Sequence, residues 1–131
     1  MRWRPELATR DGWIVYRVGL DMAPRRPLIR VRHLSWGENF HAITARHLAA
    51  QMRLMERAAR QGVAVGATSR RNIPAEAVPT VLALLREALP EVLRGLSPAD
   101  WGDVPVTEAG ATVELLESLG VDPAVFLGTA S

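Results

Sequence analysis

The stretch RVRHLSWGENFHAITARHLAAQMRLMERAARQG, residues 30–62, decides the predicted fold. Ser35 precedes a helical pattern, and Glu38 follows it at the spacing of a capping box. In that motif the serine oxygen accepts from a first-turn amide and the glutamate reaches back to the serine amide. Gly62 is the expected stop signal. The sequence therefore predicts one helix over residues 36–61, about 39 Å long at 1.5 Å per residue.

Apolar side chains recur along this segment at spacings of three and four, in two adjacent stripes. One stripe contains Phe40, Ile43, His47, Ala50, Leu54 and Ala58, and the other contains Ala45, Leu48, Met52, Met55 and Ala59. Together they make a broad apolar face on an amphipathic helix. A helix this long has more apolar surface than so small a core covers, so we expect the face to bind a partner.

The residues before this helix predict a two-stranded antiparallel hairpin over residues 13–34. Residues 13–18, WIVYRV, are β-branched and aromatic, and residues 28–34, LIRVRHL, alternate in polarity. Two prolines lie between these segments and bar a regular ladder there, so a long loop is expected. Residues 1–12 are expected to form an arm.

The C-terminal part, residues 73–128, predicts shorter helices interrupted by prolines. We expect helices over residues 80–89, 107–120 and 122–128, a single turn from Ser97 through Trp101, and a kink or last turn at Pro90. The buried stripe of the 107–120 helix is expected to contain Ala109, Val113, Leu116 and Leu119.

The predicted fold is one α+β domain over residues 1–131, mostly helical. An N-terminal two-stranded antiparallel hairpin is followed by a long amphipathic helix and two to four shorter helices. The C-terminal part forms an acidic helical half.

The formal net charge of +2 conceals a split along the chain. Residues 1–71 contain fourteen arginines and five acids, which gives +9, and residues 72–131 contain two arginines and nine acids, which gives −7. Two mutually attractive surfaces are expected, meeting either within the chain or between copies in a homo-oligomer. All sixteen basic residues are arginine. A GC-rich genome accounts for that, and so does bidentate recognition of phosphate or carboxylate.

Several chemistries find no support in the sequence. The chain has no cysteine, so disulfides and thiolate metal sites are excluded. His41 and His47 are six residues apart and cannot share a metal on one helix. No nucleophile motif and no phosphate-binding loop is present, and a chain without lysine cannot form a Schiff base. We therefore predict no catalytic activity, no metal and no cofactor. No apolar run approaches the roughly 18 residues of a membrane span.

Two kinds of partner remain open. A protein partner is favoured, because the apolar face and the charge split both suit protein binding. Nucleic acid is the alternative, since arginine with interleaved tryptophan can hold phosphates and stack on bases, although the acidic half would repel a duplex. The candidate partner-binding residues are Trp3, Arg25, Arg26, Arg30, Arg32, Arg46, Arg53, Arg57, Met52 and Met55.

Two short phrases resemble small tail assembly chaperones of long-tailed bacteriophages. The first phrase contains Val31, Leu34, Ser35, Gly37 and Glu38, and the second contains Asp100, Val104, Val106, Thr107, Glu108 and Ala109. The resemblance implies a non-catalytic morphogenesis protein, either an assembly chaperone or a small virion connector. Such a protein is helical, is often oligomeric, holds the tape-measure protein soluble and helps recruit tube subunits. It would be found in the host cytoplasm or in the virion.

Overall fold

The computed structural model describes residues 6–17, 28–66, 71–94 and 104–124, and shows an antiparallel sheet packed against helices. The strands are β1 (Glu6–Arg10), β2 (Trp13–Arg17), β3 (Leu28–His33) and β4 (His41–Thr44), hydrogen-bonded in the order β1-β2-β3-β4. The α-helices of the described residues are α1 (Leu48–Gln61), α2 (Val78–Arg94) and α3 (Val106–Ser118). Short 3₁₀ turns cover Leu34–Trp36, Ala45–His47 and Ala75–Ala77.

The predicted two-stranded hairpin is wrong, because the sheet has four strands. The two predicted strands do pair with each other, with Val15 opposite Val31. The predicted arm over residues 1–12 is also wrong, since β1 lies within it and pairs with β2. Asp11 and Gly12 join these strands with φ values of 53° and 85°. An Asp-Gly pair with positive φ at both residues is typical of a tight two-residue hairpin turn.

The predicted long helix over residues 36–61 is wrong as well, because α1 begins only at Leu48. Gly37 has φ 61° and ψ −122°, a backbone conformation that no helix contains. The His33 ring, not the Ser35 hydroxyl, caps the turn after β3 by accepting from the Ser35 amide. The chain then pairs with β3 as β4, so Ile43 lies opposite Ile29. Strand pairing and β-branched side chains thus outweigh a spacing of apolar residues that also fitted a helix.

The core lies between the inner face of the sheet and the helices. The sheet contributes Val15, Ile29, Val31 and Ile43, all at most 1% exposed. The helices contribute fully covered side chains from α1 and α2, namely Leu48, Met55, Val81, Leu84 and Leu85. Gly62 ends α1 in the left-handed conformation, as the sequence predicts. Beyond it an antiparallel bridge between Val65 and Ile73 closes the connection to α2.

The C-terminal helices differ in detail from the sequence prediction. Helix α2 extends beyond both ends of the predicted 80–89 segment and includes Pro90. The buried side chains of α3 are Ala111, Thr112 and Leu116, whereas Leu119 is 36% exposed, so the predicted stripe is only partly right. The turn expected from Ser97 to Trp101 lies outside the described residues, as does most of the helix expected over residues 122–128. No helix in the described part of the chain combines the length and apolarity needed to cross a bilayer.

Candidate functional site

The structure separates the predicted partner-binding residues instead of gathering them. Arg30 and Arg32 lie on β3, on the sheet face opposite the helices. Arg46 lies in the turn before α1, and Arg53 and Arg57 lie on α1 itself. Trp3, Arg25 and Arg26 lie outside the described residues.

The two predicted methionines belong to the core. Met52 is 6% exposed and Met55 is fully buried. Helix α1 has 14 residues, not the 26 expected, so the chain's own sheet and helices cover its apolar stripe. The part of this face that still borders a surface groove, at Ala49 and Met52, lies where α1 meets the other helices.

A groove runs between α1, α2 and α3. Helix α3 packs along α1, and a cavity of about 420 Å³ remains between α3 and α2. Its floor is mainly apolar, and its mouth carries charged side chains from all three helices. The lining residues are Ala49, Met52, Arg53, Glu56, Arg86, Leu89, Ala111, Glu114, Leu115, Ser118 and Leu119.

Two ion pairs lie at the mouth of this groove. The Arg53 guanidinium is 2.6 Å from the Glu114 carboxylate and links α1 to α3. The Arg86 guanidinium is 2.5 Å from the Glu56 carboxylate and links α2 to α1. The four side chains are 40–74% exposed, so each pair contributes about 0–1 kcal/mol at most. The same charges are accessible to a molecule bound in the groove.

A histidine–carboxylate contact joins the start of α1 to the first turn of α3. The His47 Nδ1 lies 2.9 and 3.0 Å from the two Glu108 carboxylate oxygens. An ionised carboxylate only accepts, so Nδ1 carries the proton and donates it. No local pattern predicts this pair, because its members are 61 positions apart in the chain.

Among the described residues, the basic part of the chain contacts the acidic part through three pairs of oppositely charged or hydrogen-bonded side chains. Arg10 pairs with Glu87, Arg53 pairs with Glu114, and His47 contacts Glu108. Each contact joins a residue of the basic part to a residue of the acidic part. The sequence left open whether the two parts meet within one chain or between copies, and in the structure these contacts lie within one chain.

The outer face of the sheet carries arginines with aromatic neighbours. The Arg30 guanidinium carbon lies 3.8 Å from the centroid of the Phe40 ring, and Arg32 Nη1 donates to the Gly37 carbonyl at 2.5 Å. A shallow cavity of about 160 Å³ beside them is lined by Glu6, Ile14, Tyr16, Arg32 and Glu38. Acidic and basic groups therefore share this face, and both arginines are already engaged.

The two other histidines of the chain make hydrogen-bonding contacts next to the sheet. The His33 Nδ1 is 2.8 Å from Ser35 Oγ, and its Nε2 is 3.2 Å from the Asp11 carbonyl oxygen. These contacts tie the turn after β3 to the β1–β2 hairpin. The buried His41 places Nδ1 2.9 Å from the Arg71 carbonyl oxygen. Within the described ranges, no three His, Asp or Glu side chains converge to hold a metal ion.

Comparison of the chain with protein-family models, with curated proteins and with solved structures gives no match. At about 420 Å³ the groove between the three helices is larger than the cavity of about 160 Å³ on the outer face of the sheet. It combines an apolar floor with a charged mouth, which is the usual character of a binding site.

Proposed function

We propose that the protein is a non-catalytic phage morphogenesis protein, tail assembly chaperone-like or a small virion connector, which binds an amphipathic helix of another phage protein. The observation that carries this proposal is the groove between α1, α2 and α3. A helix laid into an apolar groove is a recurring mode of peptide recognition. A tape-measure protein, as a long coiled-coil molecule, would supply such helices in the host cytoplasm.

The dimensions of the groove suit about two turns of a partner helix. Its lining residues run from Ala49 to Glu56 on α1 and from Ala111 to Leu119 on α3. These spans correspond to roughly 10 and 12 Å at 1.5 Å per residue. Two turns of an amphipathic helix present apolar side chains at positions i, i+3, i+4 and i+7, which the floor can accept.

The side chains of the floor and the rim suit a partner that inserts a helix into the groove. Met52, Leu89 and Leu115 contribute to the apolar floor, and methionine adapts readily to differently shaped side chains. Charges of both signs at the rim can pair again with charges flanking the apolar face of a partner. Such charges set register and partner choice more than they add affinity.

A binding experiment with a matched control tests this proposal. A labelled coiled-coil segment of a phage tape-measure protein is titrated with the purified chain, and fluorescence anisotropy is measured. Binding at micromolar concentration is expected. Ala49→Glu, which places a carboxylate in the groove from α1, should abolish it, whereas Leu34→Glu, an exposed leucine on the turn after β3, should not. A monomeric chain that ignores the segment, or equal loss in both variants, would contradict the proposal.

The nucleic-acid alternative has less support from the geometry. Arg30 stacks on Phe40, Arg32 donates to a backbone carbonyl, and two carboxylates lie on the same face. Phosphate binding would have to displace these contacts. A titration of a labelled oligonucleotide at increasing salt separates the two functions, because phosphate contacts weaken steeply as salt rises. Tight binding at low salt, lost in Arg30→Ala, would favour nucleic acid.

A further inference from the structure

Helix α3 is held to the rest of the protein by few buried side chains. Within α3, Ala111, Thr112 and Leu116 are buried, and Leu116 is the one large apolar side chain among them. The helix packs along α1, while the cavity of about 420 Å³ separates it from α2. Elements with little buried apolar surface open at lower free energy than the core does.

The sequence of α3 also disfavours the helical state. The helix has 13 residues, a length at which isolated helices are marginal in water. Gly110, Thr112 and Val113 are weak helix formers. A Cβ at Gly110 would meet nothing within 4 Å, so packing does not require the glycine. Helix α3 therefore depends on its contacts with α1.

Those contacts are electrostatically complementary. Helix α3 contains Glu108, Glu114 and Glu117 and no basic residue, while α1 contains three arginines and a single glutamate. Glu114 pairs with Arg53 through side chains that are 74% and 43% exposed. An exposed pair of this kind holds α3 only weakly. The surface of α1 thus already carries one acidic helix, and its charges suit another of the same sign.

We propose that α3 is a detachable lid, and that the face of α1 beneath it binds an acidic amphipathic helix of a partner protein. Detachment leaves the sheet, α1 and α2 folded and exposes Ala49, Met52 and Leu89 along the whole groove. The partner's helix then takes the place of α3. The identity of the partner as a phage protein rests on the proposed function, whereas detachment of α3 does not.

Hydrogen exchange of the full chain tests detachment. Amides of α3 should exchange faster than those of α1 and α2. Gly110→Ala should slow exchange in α3 by about four- to fivefold, the factor set by the helix propensities of the two residues, and leave α1 and α2 unchanged. If α3 opened only with the whole molecule, the variant would slow all three helices by the same factor. That result, or no slowing in α3, would overturn the lid.

A synthetic peptide tests the partner surface. The probe is residues 104–124 as a capped, labelled peptide, titrated into the full chain. Leu116→Ala in the chain weakens the lid and should tighten binding of the peptide, while Gly110→Ala should weaken it by up to about fivefold. A peptide with its Glu108, Glu114 and Glu117 all changed to lysine is the charge control.

Three results of the peptide titration are decisive. The proposal is supported if the Leu116→Ala chain binds the peptide most tightly, the wild type less tightly and the Gly110→Ala chain least tightly. Binding of the lysine peptide should be lost. Equal affinity for all three chains would place the peptide elsewhere and overturn it, as would absence of binding to the Leu116→Ala chain. If the tape-measure segment binds the chain but the amides of α3 exchange no faster than those of α1 and α2, the proposed function stands and the detachment of α3 is refuted.

Discussion

Replacing Gly37 by alanine decides between the predicted helix and the observed turn, because the two structures predict effects of opposite sign. Gly37 has φ 61° and ψ −122°, and a Cβ there would meet nothing within 4 Å. The cost of alanine is therefore purely conformational, about 1–3 kcal/mol for a residue held in a sparsely populated region. In the interior of a helix the same change would stabilise by about 0.8–1.0 kcal/mol.

Urea denaturation followed by circular dichroism measures this difference. With a slope of about 1–3 kcal/mol/M for a small domain, the Gly37→Ala midpoint should fall by roughly 1 M without a change in slope. Gly110→Ala is the matched control, since its Cβ also meets open space but its backbone is helical. Gly110→Ala should not lower the urea midpoint, because alanine favours the helical backbone of α3. A stabilised Gly37→Ala chain would refute the turn, and with it β4.

Other substitutions test how much buried residues, exposed residues and exposed ion pairs contribute to the free energy of unfolding. Met55→Ala should lower the free energy of unfolding by about 2–5 kcal/mol, because the side chain is fully buried, and a loss below 1 kcal/mol would contradict that burial. Arg57→Ala, on an exposed position of the same helix, should change it by no more than about 0.5 kcal/mol in either direction. A double-mutant cycle of Arg53→Gln and Glu114→Gln should give a coupling below about 1 kcal/mol that shrinks with added salt. A larger coupling that is insensitive to salt would show that the pair is not exposed.

Local signals predicted parts of this fold and misled elsewhere. The pairing of β2 with β3 followed from alternating and β-branched residues, and the end of α1 followed from Gly62. The Asp11–Gly12 turn was also readable, since this dipeptide before an apolar strand is a strong hairpin signal. It was missed because the residues before it, ELATR, lack the β-branched run of a typical strand.

The segment after β3 shows the limit of periodicity as a guide. Phe40, Ile43 and His47 fit a helical stripe, yet residues 41–44 form a strand in which His41 and Ile43 face the core. Pairing of β4 with β3 is a contact between segments that a local pattern cannot weigh. Gly37 was the local residue that argued against a helix, because glycine two residues after the proposed cap Ser35 has a low helix propensity.

The groove could not be predicted in the same way, because its parts lie far apart in sequence. Arg53 was singled out for its position on α1, but its partner Glu114 is 61 positions away. The charge split did predict that basic and acidic parts attract each other. Which residues meet is set by how α3 packs on the core, through the buried Leu116 and the partly buried Leu115.

Methyl NMR of the methionines is the most direct test of partner binding in the groove. Met52 lines the groove and Met55 lies one turn further along α1, fully buried in the core. On titration with a tape-measure coiled-coil segment, the Met52 methyl resonance should shift and saturate, while the Met55 resonance changes far less. A Met52 resonance that stays in place when the segment is in excess would contradict the groove as the binding site.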